Sequence, residues 1–550
     1  MLGGTLIAVA PIHSASAYFA NSLEFAARAG AAAITLQNEL GPVELAIRAQ
    51  LGELVATGAL AERDLAGVTA FYEARAYQPA WTAGGVLTPA AIGLIDRIGA
   101  ADTDGLDPLA YDTPAPDFGV GRAATTGAIA GVEIQLSLAI AAYTREAYAG
   151  RIDPRTINED IDIAPHYPDT MAALNAIATD ADPVATLEGF NPPQAGYVAL
   201  RAELARIRAE GHDEVVLVPA GPTLRLGDQD ERVPILRARL ELPVPNDATA
   251  NVYDEDVMSA VREFQGLVGL VTDGVVGPNT LGALNGPAVN PEAEIIANME
   301  RWRWVPRDFG EYYVNVNIPE FIVRIVADGV VFHETRVVVG LPTHRTPVFS
   351  DEIETIVVNP FWYVPASIVA DEMMPLLRSD PGYFNRNNFD VFVTWQGRTQ
   401  QVDPYQVDWS RLNATQVSMR QRPGPGNALG QIKFLFPNSH AVYLHDTPSK
   451  NLFQRDVRAY SHGCIRVMNP MDFADALLSR NSEWNAARLA TLFGPEERSV
   501  DIGQHIPVHI TYFTAVVDES GTVQFKNDVY GYSAAVRQAL GLDGTIVAGN

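Results

Sequence analysis

The run Ala441-Val442-Tyr443-Leu444-His445, followed beyond residues 446 to 460 by Ser461-His462-Gly463-Cys464-Ile465-Arg466-Val467, decides how this chain is read. The first run is apolar with aromatic and β-branched members, which predicts a strand that ends at His445. Ile465 and Val467 around Arg466 predict a second short strand. Asn469-Pro470 with Asp472 then reads as a helix start, Asn469 as the cap and Pro470 at the first helical position. Cys464 is thereby placed on a turn between regular elements. It is the single cysteine in 550 residues. An internal disulfide and a cysteine-rich zinc site are both excluded, leaving either an inert small hydrophobe or a reactive thiol. A thiol attacks as thiolate and needs a base to take its proton, a task that suits histidine. His445 is a candidate because the intervening loop is long enough to return the chain to the strand end. Tyr443 lies two residues before it and so faces the same side of the strand.

Around this run, everything after Glu300 reads as β structure. The alternation Tyr313-Val314-Asn315-Val316-Asn317-Ile318 and the runs 321 to 326, 335 to 339, 354 to 358, 390 to 395, 432 to 436, 441 to 445 and 506 to 516 predict a mostly antiparallel β domain over 289–540. Residues 365–430 form a long insertion with a predicted helix from Met373 to Leu377 and a Pro423-Gly424-Pro425-Gly426 loop. Insertions of that length usually have a function, often as a lid.

Residues 18–220 are rich in Ala, Leu, Glu and Arg, and positions such as Ile134, Leu138, Ala141 and Ala142 recur at helical spacing, which predicts an all-helical region. Gly41-Pro42, Asp104 to Pro108 and Ile152-Asp153-Pro154 punctuate it, and Val215 to Asp230 has the composition of a linker. Residues 221–288 form a compact unit. There Asp256 is expected to cap a helix bearing Val257, Val261, Phe264 and Val268, with Gly269 as its left-handed C-cap. A further boundary falls near Asn285-Gly286-Pro287. The apolar run Leu2 to Ala10, followed by Ala15-Ser16-Ala17, reads as a secretory signal peptide over 1–17, without a basic residue ahead of it. Gly, Glu133 and Gln135 interrupt the Ala-rich segment near 123 to 143, so no membrane span is expected there.

The chain holds 47% hydrophobic residues, enough for several buried cores, which excludes a disordered protein. Its formal charge of −27 repels a phosphate backbone, and no basic patch offsets it, so nucleic acid is excluded as a partner.

Two sets of residues resemble known families. Phe264-Gln265, Gly269-Leu270, Asp273-Gly274, Gly277-Pro278 and Thr280 resemble the signature of the three-helix peptidoglycan-binding domain. His445, the loop, and Ser461-His462-Gly463-Cys464 resemble the motif of the L,D-transpeptidase (YkuD-type) catalytic domain of bacterial cell-wall enzymes. With the helical scaffold in front, the architecture is similar to the large periplasmic type of Gram-negative bacteria, and Asn359 to Pro365 and Lys433 to Asn438 strengthen the likeness. One departure is visible: many members have Asn where Arg466 stands. The fold class that follows is multidomain α+β, with an all-helical scaffold, a three-helix binding module and a mostly antiparallel β catalytic domain carrying a capping insertion.

The resemblance implies that Cys464 is the nucleophile, that His445 is the base, oriented by the backbone carbonyl of Asp446, and that His462 and Gly463 shape the loop. Backbone N–H groups around Gly463 and Cys464 are expected to form an oxyanion hole, each donor lowering the barrier by about 3 kcal/mol. The implied substrates are peptidoglycan stem peptides, a tetrapeptide donor and a diamino-acid acceptor, joined in a 3→3 cross-link with loss of D-Ala. Carbapenem-type inhibitors, a periplasmic location and contacts with other cell-wall synthesis proteins are implied as well, and no metal or cofactor is expected. Tyr443, Arg466, Ser461, Trp362 and Asn359 are the candidate substrate contacts. Several of these residues have a plainer reading: Arg466 pairs with an acidic neighbour, Trp362 and Asn359 pack, His445 is a strand-end histidine hydrogen-bonded to backbone, and His462 only stabilises its loop. A His445-Asp446-His462 metal site is the competing chemistry, but it leaves the cysteine unexplained. A hydrolase passing the same acyl-enzyme to water and a non-catalytic wall-binding scaffold are the competing functions.

Overall fold

A computed structural model describes residues 40–58, 62–210, 217–247, 249–267, 270–285, 291–518 and 521–542. The expected signal peptide at 1–17, the Gly269 cap and the Gly286-Pro287 boundary lie outside the described residues. The chain divides into two compact units. One contains residues up to Asp102 with Leu106–Tyr148 and Tyr167–Asn191, and the other contains Thr103–Gly105, Ala149–His166 and the chain from Pro192 onward.

Among its described residues the first unit is helical apart from a minimal hairpin of β1 (Thr82–Ala83) and β2 (Val86–Leu87). Pro42, read with Gly41 as a break, turns out to open a helix, at the first position of Pro42–Thr57, and Asp169 caps Thr170–Thr179 by accepting from Ala172 N–H. Thr126–Ala149 is the central helix. By length and composition it is apolar enough to cross a membrane even with Glu133 and Gln135 in it, and 56% of that apolar window is buried inside the protein. Its Glu133 is fully buried and accepts hydrogen bonds from Ala80 N–H (2.8 Å), Trp81 N–H (3.0 Å), both Thr82 N–H and Oγ1 (2.7 Å each) and Tyr72 Oη (2.8 Å).

In the second unit, three short helices, Val233–Arg239, Glu255–Leu267 and Pro278–Asn285, enclose a core with Tyr253, Val257 and Val261. Two details differ from the sequence reading. Asp254, not Asp256, caps the middle helix through Val257 N–H (3.1 Å). The stretch read as a linker belongs to the module, since Val218 and Leu224 are in its core and Leu224 pairs with Val276. Buried Gln265 explains the motif spelling: it accepts from Gly274 N–H and donates to Asp273 Oδ1 and Thr280 Oγ1, tying the signature residues to each other.

The β domain is built on β3 (Tyr312–Asn317), β4 (Ile322–Ala327), β5 (Val330–Gly340) and β6 (Phe349–Val358), then on β11 (Ile432–Leu435), β12 (Leu444–His445), β13 (Ala459–Ser461), β14 (Ile465–Val467) and β15 (Arg498–Thr511). Their order is β13-β5-β14-β12-β11-β6-β15-β3-β4, and β4 also pairs with β5, so the sheet returns on itself. Most pairs are antiparallel; β12 with β14, β13 with β5 and β15 with β3 are parallel. Alternate residues, Val314 and Val316, Ile356 and Val358, Phe434, Leu444, Ile465 and Val467, fill the enclosed core together with Phe473 from the helix Pro470–Leu477. Asn469 precedes that helix as expected, but its side chain makes no cap hydrogen bond.

The insertion is a larger structure than the single helix expected. Its helical part runs from Ala366 to Ser379 with a π-helical segment at Val369–Met373. Strands β7 (Trp362–Tyr363), β8 (Phe389–Trp395), β9 (Arg398–Val402) and β10 (Val417–Gln421) form a separate sheet in the order β7-β10-β8-β9. The run 390 to 395, read as part of the main β domain, belongs to this sheet, and the insertion has its own core of Leu377, Phe384, Phe389, Val391 and Trp409.

Candidate active site

The site follows from strand register. Leu444 pairs with Ile465 and His445 with Arg466 in parallel, and Ile465 N–H donates to the Tyr443 carbonyl at 3.1 Å. Because Leu444 and Ile465 point into the core, the alternation turns Tyr443, His445 and Arg466 to the opposite face, with Cys464 at the edge of the turn beside Tyr443. The antiparallel partner of His445 on its other side is Lys433, so Lys433, His445 and Arg466 form one row across β11, β12 and β14. The Tyr443 and His445 rings meet edge to face at 5.7 Å.

His445 is buried, and its Nδ1 lies 2.5 Å from the backbone carbonyl oxygen of Asp446. A carbonyl only accepts, so Nδ1 carries the proton and Nε2 is left as the acceptor in the neutral ring. Asp446 is itself pinned: Oδ1 accepts from Thr447 N–H (2.7 Å) and Lys450 Nζ (2.6 Å), and Oδ2 from Gln431 N–H (3.0 Å). Gly430 stands at φ +61°, and a Cβ there would fall 2.2 Å from Asp446 Oδ2, so this seat requires glycine.

Cys464 is partly exposed, and its thiol donates to the Ala441 carbonyl at 3.8 Å. Burial of the sulfur pushes its pKa up, opposed by contacts with Tyr443 and by the charges of Arg466 and Lys433. Burial, with the nearby Arg466 charge, pushes His445 down to about 3. At neutral pH the resting pair is therefore thiol and neutral imidazole, not an ion pair. Proton transfer has to accompany attack, with His445 as general base.

The turn before Cys464 is held from inside. Ser461 Oγ donates to the Cys464 carbonyl (2.5 Å) and accepts from Gly463 N–H (3.2 Å), while Thr346 Oγ1 donates to the Gly463 carbonyl (2.7 Å). Tyr530 Oη accepts from Thr346 N–H and donates to the Gly340 carbonyl, bracing Thr346. Gly463 adopts φ +107°, where a side chain is strained. One expectation changes: Gly463 N–H is occupied by Ser461, whereas Cys464 N–H has no acceptor among the described residues and is the donor open to an oxyanion.

The candidate substrate contacts divide. Tyr443 and Arg466 share the thiol face. Ser461 does not, being buried with its hydroxyl used inside the turn. Asn359 is also buried, donating to the Leu492 and Glu496 carbonyls and accepting from Gly494 N–H, so it anchors the 492 to 496 loop. Trp362 lies on β7 and packs edge to face on Phe389 in the insertion. His462 points to the insertion: its Nε2 is 2.7 Å from Glu372 Oε1, and its ring lies 4.7 Å from that of His344. The competing metal set does not converge, because His445, Asp446 and His462 each face different partners. Among the described residues the group within ligand distance of one another is Glu352, Glu354 and His505, on the surface.

Sequence reasoning missed Lys433, Thr346, Tyr530 and Glu372. Lys433 had one signal, as the lone charge in an apolar strand run; the other three become neighbours only through the fold.

Comparison with known proteins matches residues 311–491 to the L,D-transpeptidase catalytic domain, 232–284 to a putative peptidoglycan-binding domain and 66–204 to a scaffold domain. A putative L,D-transpeptidase of Haemophilus influenzae is 35% identical over 252 residues, 46% of this chain and 50% of that protein, so the chain spans about half the length of this curated relative. Similar solved structures include L,D-transpeptidases from Mycobacterium smegmatis (15% identity, 36% of this chain and 58% of that one, TM-score 0.18) and Xylanimonas cellulosilytica (18%, 53% and 98%, TM-score 0.17). At those scores the overlays carry no part of the argument.

Proposed function

We propose that this chain, which contains an L,D-transpeptidase catalytic domain, a peptidoglycan-binding domain and a scaffold domain, is an exported cell-wall cysteine transpeptidase that forms 3→3 cross-links. The observation that carries the reading is the parallel register of β12 and β14, which aligns Tyr443 and His445 with the Cys464 turn while the Asp446 carbonyl fixes the imidazole tautomer.

In the proposed cycle the Cys464 sulfur attacks the carbonyl at the L-centre of the third stem residue, and His445 takes the thiol proton. The oxyanion is met by Cys464 N–H. Collapse expels the terminal D-Ala, whose amine receives the proton from His445, and leaves a thioester. The side-chain amine of a neighbouring stem then attacks the thioester, forming the new amide and returning the thiol. The cleaved amide supplies the energy of the new one, so the cycle needs no nucleotide. The same nucleophile would open the ring of a carbapenem-type β-lactam. A periplasmic site of action follows from the substrate.

Tetrapeptide muropeptides incubated with the protein are expected to release D-Ala and give 3→3 dimers by mass spectrometry, with Cys464→Ala inactive. D-Ala release without dimers would reassign the protein as a carboxypeptidase. An active Cys464→Ala variant would remove the thiol mechanism.

A further inference from the structure

Two cations lie beside the thiol with no carboxylate within ion-pair distance among the described residues. Lys433 and Arg466 flank His445 in the register of the sheet, one on each side, and their side chains share its face. Both are largely buried. Among the described residues neither the Lys433 ammonium nor the Arg466 guanidinium has a hydrogen bond or a carboxylate within ion-pair distance, and the Nε of Arg466 is buried without a partner. The contact that Lys433 makes is with the Tyr443 ring, 5.6 Å from the ammonium to the centroid. The acidic group nearest in influence is Glu497, whose carboxylate is taken by Phe361 N–H at 2.6 Å.

Leaving two cations partly desolvated and unpaired on the two strands that flank β12 works against folding, because like charges repel and each has lost water. In the same domain Arg324 is paired with Glu320, and Arg301 donates to the Tyr512 carbonyl and to Asn298 Oδ1. An arrangement with open donors around a nucleophile has the form of an anion site awaiting its anion. We propose that Lys433 and Arg466 together form a carboxylate-binding subsite next to the Cys464 thiol, taken up by the terminal carboxylate of the peptide whose bond is cleaved. This rests on the transpeptidase reading for the identity of the peptide: in a stem ending in D-Ala, the carboxylate is only a few bonds beyond the scissile carbonyl, within the same row of side chains. Such a subsite selects for a free C-terminus and holds the carbonyl against the sulfur.

The subsite can be tested without any wall substrate. Iodoacetate and iodoacetamide alkylate a thiolate by the same displacement, the C–S bond forming as iodide leaves, and they differ in the carboxylate. In the unmodified protein the ratio of the iodoacetate to the iodoacetamide rate is expected to be at least about tenfold higher than in the Lys433→Met/Arg466→Met variant. If the cations act only on thiol ionisation, their removal would slow both reagents equally and leave the ratio unchanged, and that result overturns the proposal. The conservative Lys433→Arg and Arg466→Lys variants should retain the high ratio, which keeps the test valid if the methionine variant folds poorly. With tetrapeptide donors, amidation of the C-terminal carboxylate is expected to raise KM about tenfold in the unmodified protein and to change little in the double variant. A retained iodoacetate preference with no D-Ala release would reject the transpeptidase reading and leave the subsite standing.

Discussion

The buried charge in the helical unit and the buried charges on the thiol face are treated in opposite ways. Glu133 is fully buried and accepts from three backbone N–H groups, a threonine hydroxyl and a tyrosine hydroxyl. Its carboxylate is what holds the chain at Ala80, Trp81 and Thr82 against the central helix, so the charge is part of the architecture. Lys433 and Arg466 are also partly removed from water, yet among the described residues no hydrogen bond or ion pair ties them to the fold. The difference separates charges that the fold uses from charges that the fold tolerates because something else needs them.

The contrast predicts opposite responses to neutralisation. Replacing Glu133 by Leu leaves three backbone donors buried and unpaired, at roughly 1 to 3 kcal/mol each. A loss of about 3 kcal/mol or more is therefore expected for the helical unit in urea unfolding followed by circular dichroism. A change below about 1 kcal/mol would mean that the three N–H groups find other acceptors and that Glu133 is no anchor. Lys433→Met combined with Arg466→Met should move the other way, with unchanged stability or a gain of about 1 kcal/mol, since apolar replacements remove desolvation and mutual repulsion together. A clear destabilisation of the β domain by calorimetry would place these cations with Glu133 among the architectural ones and break the comparison.

The thiol face was legible in the sequence to the extent that it is local. A strand ending in His445 and a turn ending in Cys464 are readable from alternation and from Gly463, and the helix opening at Pro470 from its flanking Asn and Pro. The pairing of β11 with β12, which brings Lys433 to the side of His445, is a long-range register that alternation does not specify. Asn359 and Ser461 misled for a related reason. A polar side chain in a motif looks available in one dimension, while the fold directs Asn359 to the carbonyls of Leu492 and Glu496 and Ser461 back onto its own turn. The linker reading of residues 215 to 230 failed because Pro and Gly mark turns whether or not a neighbouring apolar residue such as Val218 or Leu224 finds a core. Length signalled the insertion, but its separate sheet depends on strand pairing within 362 to 421 that composition did not reveal.

The smallest effect expected concerns the side-chain contact between the insertion and the turn. Glu372 comes from the π-helical segment, and His462 immediately precedes the Gly463-Cys464 pair, so their 2.7 Å contact joins the insertion to the loop that carries the thiol. Both side chains are partly exposed, His462 at 31% and Glu372 at 51%, and solvent screening limits the pair to about 1 kcal/mol or less. Glu372→Gln should therefore leave thermal unfolding nearly unchanged. If the pair holds the insertion over the turn, the same 0.5 to 1 kcal/mol shifts an open-to-closed balance by about two- to fivefold. Iodoacetamide labelling of Cys464 would then accelerate by that factor, and limited proteolysis between Val364 and Gly430 would become faster. Because Lys433 and Arg466 are untouched, the iodoacetate to iodoacetamide ratio should stay where it is in the unmodified protein, which separates access to the thiol from attraction of an anion. Unchanged labelling and proteolysis would assign the hold on the insertion to its apolar packing, Trp362 on Phe389 among others, and reduce Glu372 and His462 to a surface pair.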